Sequence, residues 1–238
     1  MNLKKNFFEQ LLKLRISLVK SILIYFAVLL VLIPFSSDIY YFFSEPLIKQ
    51  LSIFNGSMIT TKLSATFIIP FKITAVVAFL IAYPLVFYHI WTFVSPGLYK
   101  QEKIFAYYIF FLSFLLFILA IIFVYFFIFP VIFNFFITMT PKNIELMIDM
   151  SSYLDMIIGL FLAFGIAFQI PLLMTALVKF GLIKHNVFKS NRSYFFVFSF
   201  LFGAIFTPPD ILSQLLLAIP VYLLYELGIL FSKNYISS

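Results

Sequence analysis

The chain has 238 residues, of which 64% are hydrophobic, 21% aromatic and 11% charged, a balance that excludes a water-soluble domain of this length. Its formal charge of +7 does not make a nucleic-acid surface, because the lysines and arginines are scattered among the ends of apolar runs. The lack of cysteine removes disulfides, thiolate metal sites and cysteine nucleophiles together.

The first segment, "NLKKNFFEQLLKLRISLVK", sets Leu3, Phe7, Leu11, Leu14 and Leu18 at spacings of three and four, with Lys4, Lys5, Glu9, Lys13 and Lys20 mostly off that face. The pattern predicts an amphipathic helix on a membrane surface that runs into the first span. No small-residue cleavage site accompanies it, and no leader cleavage is expected. A hydrocarbon core of about 30 Å needs about 20 helical residues. Apolar stretches predict spans at approximately 17–37, 71–95, 104–136, 154–180, 193–207 and 211–231. The fold class is therefore all-α: a polytopic membrane protein with six transmembrane helices, the last two short, in one integral membrane domain over residues 1–238. The uncharged runs from Ser193 to Pro209 and from Ile211 to Tyr225 supply roughly 15 to 17 residues each, about 22–26 Å, so the turn between them should lie beneath one membrane surface.

After the first span, "FFSEPLIKQL" predicts a short interfacial helix started by Pro46. Basic residues fix the orientation. Lys4, Lys5, Lys13, Arg15, Lys20, Lys100, Lys103, Lys184, Lys189, Arg192 and Lys233 gather on one side, against Lys49, Lys62, Lys72 and Lys142 on the other, which predicts cytoplasmic N and C termini. Asp38, Glu45, Glu145, Asp149 and Asp210 then fall on the outer side.

Carboxylates at a bilayer are costly, so each needs a partner or a task. Glu102, in "SPGLYKQEK", lies in the turn between the second and third spans; it is either a solvated charge offset by Lys100 and Lys103 or a receptor for a cationic peptide. Gln169 lies within the fourth span just before Pro171, where its amide can satisfy a carbonyl freed by the proline or reach another helix. Asp210, in "TPPDILSQ", is placed to cap the sixth span; with Thr207, Ser213 and Gln214 it would also line a polar recess under the outer surface. Glu226 reads as a surface charge about a turn and a half from Lys233. His89 and His185 read as ordinary polar contacts, since no metal-ligand spacing surrounds either. No nucleophile turn, metal pair or phosphate loop occurs, so neither an enzyme nor a cofactor or metal site is expected.

Taken in order, "LLKLRISL", "SEPLIKQL", "FYHIWTFVSPGLYKQEK", "SSYLDMIIGLFLAFGIAFQIP" and "TPPDILSQLLLAIPVYLLYELGI" resemble the TatC family, the receptor subunit of the twin-arginine protein translocase. The resemblance covers nearly the whole chain. It implies a multi-pass protein of the cell inner membrane, or of an organellar inner membrane, that binds twin-arginine signal peptides of folded cargo at the cytoplasmic face. It further implies assembly with TatA-like and TatB-like single-span proteins in the lipid bilayer, self-association in a receptor complex, and export driven by the protonmotive force. By the same resemblance, Glu102, Phe93, Arg15 and Glu9 belong to signal-peptide binding, while Gln169, Thr207, Asp210 and Gln214 belong to partner-helix docking. Pro46 matches an outer-loop position. Two departures stand out: the family's "HLxELRxRL" reads "QLLKLRISL" here, with Gln10 for its histidine and Lys13 for its glutamate, and Gln169 stands where the family commonly has glutamate. A lysine cannot receive arginine, which leaves Glu102 as the main candidate receptor carboxylate. The alternative, a small-solute or ion transporter, would need several ionisable groups converging at mid-membrane, where this chain offers mainly Gln169.

Overall fold

The computed structural model describes residues 2–53, 56–94, 100–141, 146–207 and 210–234, with side chains described except at 2–11, 13, 14, 53, 87, 90–94, 100–102 and 106. Helix dominates, as the hydropathy pattern predicts. Among the described residues, five helical stretches are long and apolar enough to cross a membrane: Arg15–Ser52, Ala65–Val86, Lys103–Met139, Met150–Lys179 and Ile211–Lys233. Arg192–Phe206 is a shorter apolar helix. The chain divides into two compact units, Met1–Phe43 with Thr66–Phe114, and Ser44–Ala65 with Leu115–Ser238.

The first unit holds α1 (Asn2–Leu32), a 3-10 turn at Ile33–Phe35 and the start of α2 (Ser36–Ile53). It also holds most of α3 (Ala65–Val94) and the first part of α4 (Lys100–Phe123). The amphipathic segment and the first span are one continuous helix, as the spacing of Leu3 to Leu18 predicts. Tyr25 Oη donates to the Ala75 carbonyl at 3.3 Å, tying α1 to α3, and the Tyr83 and Ser113 hydroxyls meet at 3.0 Å between α3 and α4. Ala78 and Ala82 are fully buried on α3, the small-residue stripe that lets membrane helices approach without a hydrophobic drive. Pro70 is accommodated inside α3, and Thr74 Oγ1 donates to its carbonyl at 2.7 Å.

The second unit begins with a correction. Pro46 does not start the interfacial helix: α2 begins at Ser36, and Pro46 sits within it. Proline removes one ladder bond, but Phe43, Leu47 and Leu51 are buried one turn apart on one face, and their packing holds the helix across the gap. From α4 the chain enters a π-helical turn, Val124–Ile128, and then α5 (Phe129–Met139). The Phe129 amide donates to the Val124 carbonyl five residues back, so the wider turn absorbs the break set by Pro130. Aromatic pairs then join this rod to α6 (Met150–Ala167): Phe123 to Phe164 at 5.6 Å, Phe129 to Phe161 at 5.3 Å and Phe133 to Tyr153 at 5.4 Å between centroids.

A strand pair, unpredicted from sequence, adds to the helices. Strands β1 (Ser57–Ile59) and β2 (Met147–Asp149) run parallel, with Ser57 opposite Met147 and Ile59 opposite Asp149. Asp149 locks this end. It caps α6 by accepting from the Ser152 amide at 3.1 Å, while its other oxygen accepts from Thr61 Oγ1 at 2.9 Å. The Ser152 amide, first among these donors, holds the Asp149 carboxyl below the ordinary carboxylate range.

After α6 the helix breaks at Phe168 and Gln169 and resumes as α7 (Ile170–Lys179), because Pro171 cannot donate into the ladder. The short α8 (His185–Ser190) leads to α9 (Arg192–Phe206) and α10 (Ile211–Lys233). Here the sequence reading needs a second correction: α10 has 23 residues and outruns its uncharged stretch, whereas α9 has 15 and is short as expected. The helix runs on through Glu226, a residue type that helices accommodate readily, to Lys233.

Candidate functional site

Helix α10 organises the candidate residues. At its start, Asp210 is the N-cap, its Oδ2 accepting from the Ser213 amide at 2.7 Å, in the role that its position after two prolines predicts. The other carboxylate oxygen, Oδ1, is buried and makes no hydrogen bond among the described residues, and the fully buried Ser213 hydroxyl oxygen is likewise unmatched there. Gln214, one turn into the helix, donates from Nε2 to the Phe200 carbonyl at 2.9 Å. Gly203 permits that approach: a Cβ there would lie 3.1 Å from the Gln214 carbonyl oxygen. Thr207 is buried and donates to the Gly203 carbonyl at 2.9 Å, closing the end of α9. Thr207, Asp210 and Gln214 therefore come together around one turn, with unmatched polar atoms at its centre. Such atoms are expensive inside an apolar assembly unless another group meets them.

Gln169 does not join them. It is the residue before α7, whose Pro171 packs against Gly228, where a Cβ would lie 3.1 Å from the proline Cα. Gly228 stands about 20 Å further along α10 than Gln214, at 1.5 Å per residue. Gln169 is partly exposed at the helix break.

The far half of α10 is closed by different means. Tyr225 stacks on Phe195, with centroids 3.9 Å apart and planes 8° from parallel, and its hydroxyl donates to the Phe188 carbonyl at 2.8 Å. Glu226 pairs with Arg192 at 2.7 Å and accepts from the Tyr222 hydroxyl at 3.0 Å. Glu226 keeps the part-exposed position expected of a surface charge, and the structure adds a partner, Arg192 on the preceding helix, to which no sequence spacing points. His185 is buried, as a polar contact: its Nδ1 meets Ser232 Oγ at 3.0 Å. Burial, then Lys189 and Lys233, push its pKa down from the ordinary histidine value.

For the proposed peptide-binding group, Arg15 is exposed on α1 and Glu9 lies on the same helix. Phe93 is on the last turn of α3 and Glu102 on the first turn of α4. The side chains of Glu9, Phe93 and Glu102 lie outside the described residues. Pro46, inside α2, follows Glu45, which pairs with Lys49 on the exposed side of that helix. Sequence reasoning missed the Asp149 lock, although an aspartate just ahead of a serine-rich helix start is an N-cap signal.

The sequence profile of the Sec-independent protein translocase protein TatC matches residues 9–220. The TatC of Haemophilus influenzae is 39% identical over 225 residues, covering 94% of this chain and 88% of its own. The TatC of Escherichia coli K12 is 37% identical over 227 residues, covering 95% and 87%. Among solved structures, a crystal structure of the twin-arginine translocase receptor TatC superposes with a TM-score of 0.84 at 32% identity, covering 95% of this chain and 99% of the other.

Proposed function

Because the chain belongs to the TatC family of Sec-independent protein translocase components, we propose that it acts as the receptor for twin-arginine signal peptides, assembling with small single-span partners. The observation that carries this reading is the match over nearly the full chain to relatives that include solved twin-arginine translocase receptors. In this reading the termini face the cytoplasm of a bacterial inner membrane, and Glu102 receives the paired arginines with Phe93, Arg15 and Glu9 around it. Guanidinium suits a carboxylate because two parallel charge-assisted bonds form at once. Lys13 at the family's glutamate position concentrates that task on Glu102.

The start of α10 is the docking place for a partner's membrane helix. The unmatched Asp210 Oδ1 and Ser213 Oγ support this, since a polar group on an incoming helix would meet them away from water. Transport draws on the protonmotive force, and no reaction of bonds is assigned to the chain. The receptor reading is tested by cross-linking a twin-arginine peptide to membranes carrying Glu102→Gln. Loss of a charge-assisted bond predicts a yield at least about tenfold lower; an undiminished yield contradicts the assignment.

A further inference from the structure

Helix α6 meets the end of α9 at one glycine. A Cβ on Gly159 would lie 2.8 Å from the Phe206 carbonyl oxygen and 3.8 Å from its carbonyl carbon, too close for a side chain to stand there. Phe206 is the last residue of α9, so its carbonyl is among those that a helix leaves without an internal partner. Glycine alone lets a neighbouring helix close over that oxygen, with a Cα hydrogen where the Cβ would be.

The contact lies at the edge of the recess. Thr207 follows Phe206 directly, its hydroxyl closing the turn on the Gly203 carbonyl, and the Asp210 cap stands three residues beyond it. The same turn also meets α10, where a Cβ on Gly203 would lie 3.1 Å from the Gln214 carbonyl oxygen. Both neighbours are backbone atoms, which no change of rotamer can move aside. A methyl group at position 159 therefore has to displace the last turn of α9, and Thr207 with it. Gly165, on the same helix, differs: a Cβ there would meet the edge of the Phe117 ring at 2.9 Å, and no backbone atom stands among its nearest neighbours.

We propose that Gly159 is a positioning residue for partner docking. It acts through Phe206: by letting α9 seat against α6, it sets where Thr207 stands beside Asp210, and so whether an incoming membrane helix meets the polar atoms of the recess. This role rests on the reading of the recess as a docking place and extends that place to a third helix. The polar residues lie on α9, on α10 and in the turn between them; the glycine brings in α6.

The cysteine-free chain makes the test direct. Thr207→Cys and Gln214→Cys are each placed in the full chain with Gly159 intact, with Gly159→Ala and with Gly165→Ala, in membranes with a single-span partner that carries a cysteine in its helix. Thr207 is buried, so Gly159→Ala should raise maleimide labelling of Thr207→Cys, measured without the partner, at least about twofold as the turn is displaced. Disulfides form over a window of only about 2 Å in Cα separation, so the partner adduct at Thr207→Cys should fall at least about threefold relative to that at Gln214→Cys. Gly165→Ala adds the same methyl to the same helix and should change neither. Either readout unchanged in Gly159→Ala, or the same change in Gly165→Ala, overturns the role, while adducts with Gly159 intact leave the docking reading standing. Adducts absent at both cysteines with Gly159 intact would remove the docking reading and this role together.

Discussion

The two ends of α10 are held by opposite strategies. At Asp210 the backbone is capped and the helices touch through Gly203, yet a carboxylate oxygen and a serine hydroxyl are buried without partners among the described residues. Around Tyr225 a stacked pair, an ion pair and a backbone-anchored hydroxyl satisfy the polar groups they involve, and His185 Nε2 is the buried atom left unmatched there among the described residues. One end meets most of its polar groups within the fold; the other leaves two unmatched among the described residues, where we propose that a partner helix docks. The difference separates residues whose replacement should cost stability from residues whose replacement should cost assembly.

The largest expected effect is at the anchored end. Tyr225→Ala removes the stack on Phe195 and the bond to Phe188, and should cost about 3–5 kcal/mol in reversible unfolding in detergent, as large aromatic truncations do. Gly228→Val follows, at about 1–3 kcal/mol, because even its Cβ would lie 2.5 Å from Met174 Sδ, with the backbone of Pro171 behind. At the open end the comparison sharpens. Asp210→Ala should cost about 1 kcal/mol through loss of the cap, whereas Asp210→Asn keeps the cap and should leave unfolding unchanged within about 0.5 kcal/mol. The same Asp210→Asn change should nevertheless reduce partner cross-linking, because it can place a donor where Oδ1 offers an acceptor. Equal losses of stability from both Asp210 variants would erase the distinction between the ends.

The smallest effect is a pH dependence. Since the folded pKa of His185 lies below its ordinary value of 6.5, its contribution is fully present above that value and is lost as pH falls from there through the folded value. Thermal unfolding scanned from pH 7.5 downward should show this decline, and His185→Asn should flatten it. A decline of the same size in that variant would assign it elsewhere.

The membrane helices were legible because a run of apolar residues long enough for a bilayer has few other fates. Asp210 as a cap was legible for a local reason, two prolines and then an aspartate before an apolar run. Features joining distant residues were not. Arg192 with Glu226 and Thr61 with Asp149 pair across helices and loops, contacts that no local spacing announces. The three-residue strands carry no alternation long enough to read. Pro46 was misplaced because a proline rule acts locally, whereas Leu47 and Leu51 hold α2 through packing. Glu102 and Phe93 became candidates through family resemblance; residue spacing alone left Glu102 between a solvated charge and a receptor.

The contrast between the two ends is tested most directly by a disulfide scan along α9 and α10. Single cysteines placed at Thr207, Gln214, Ile229 and Ser232 would be paired in membranes with a cysteine in the helix of a co-expressed single-span partner. Adducts at Thr207 and Gln214, with little or none at the buried Ile229 and Ser232, are the predicted result. Adducts favouring Ile229 and Ser232, or silence at both Thr207 and Gln214, would contradict the account.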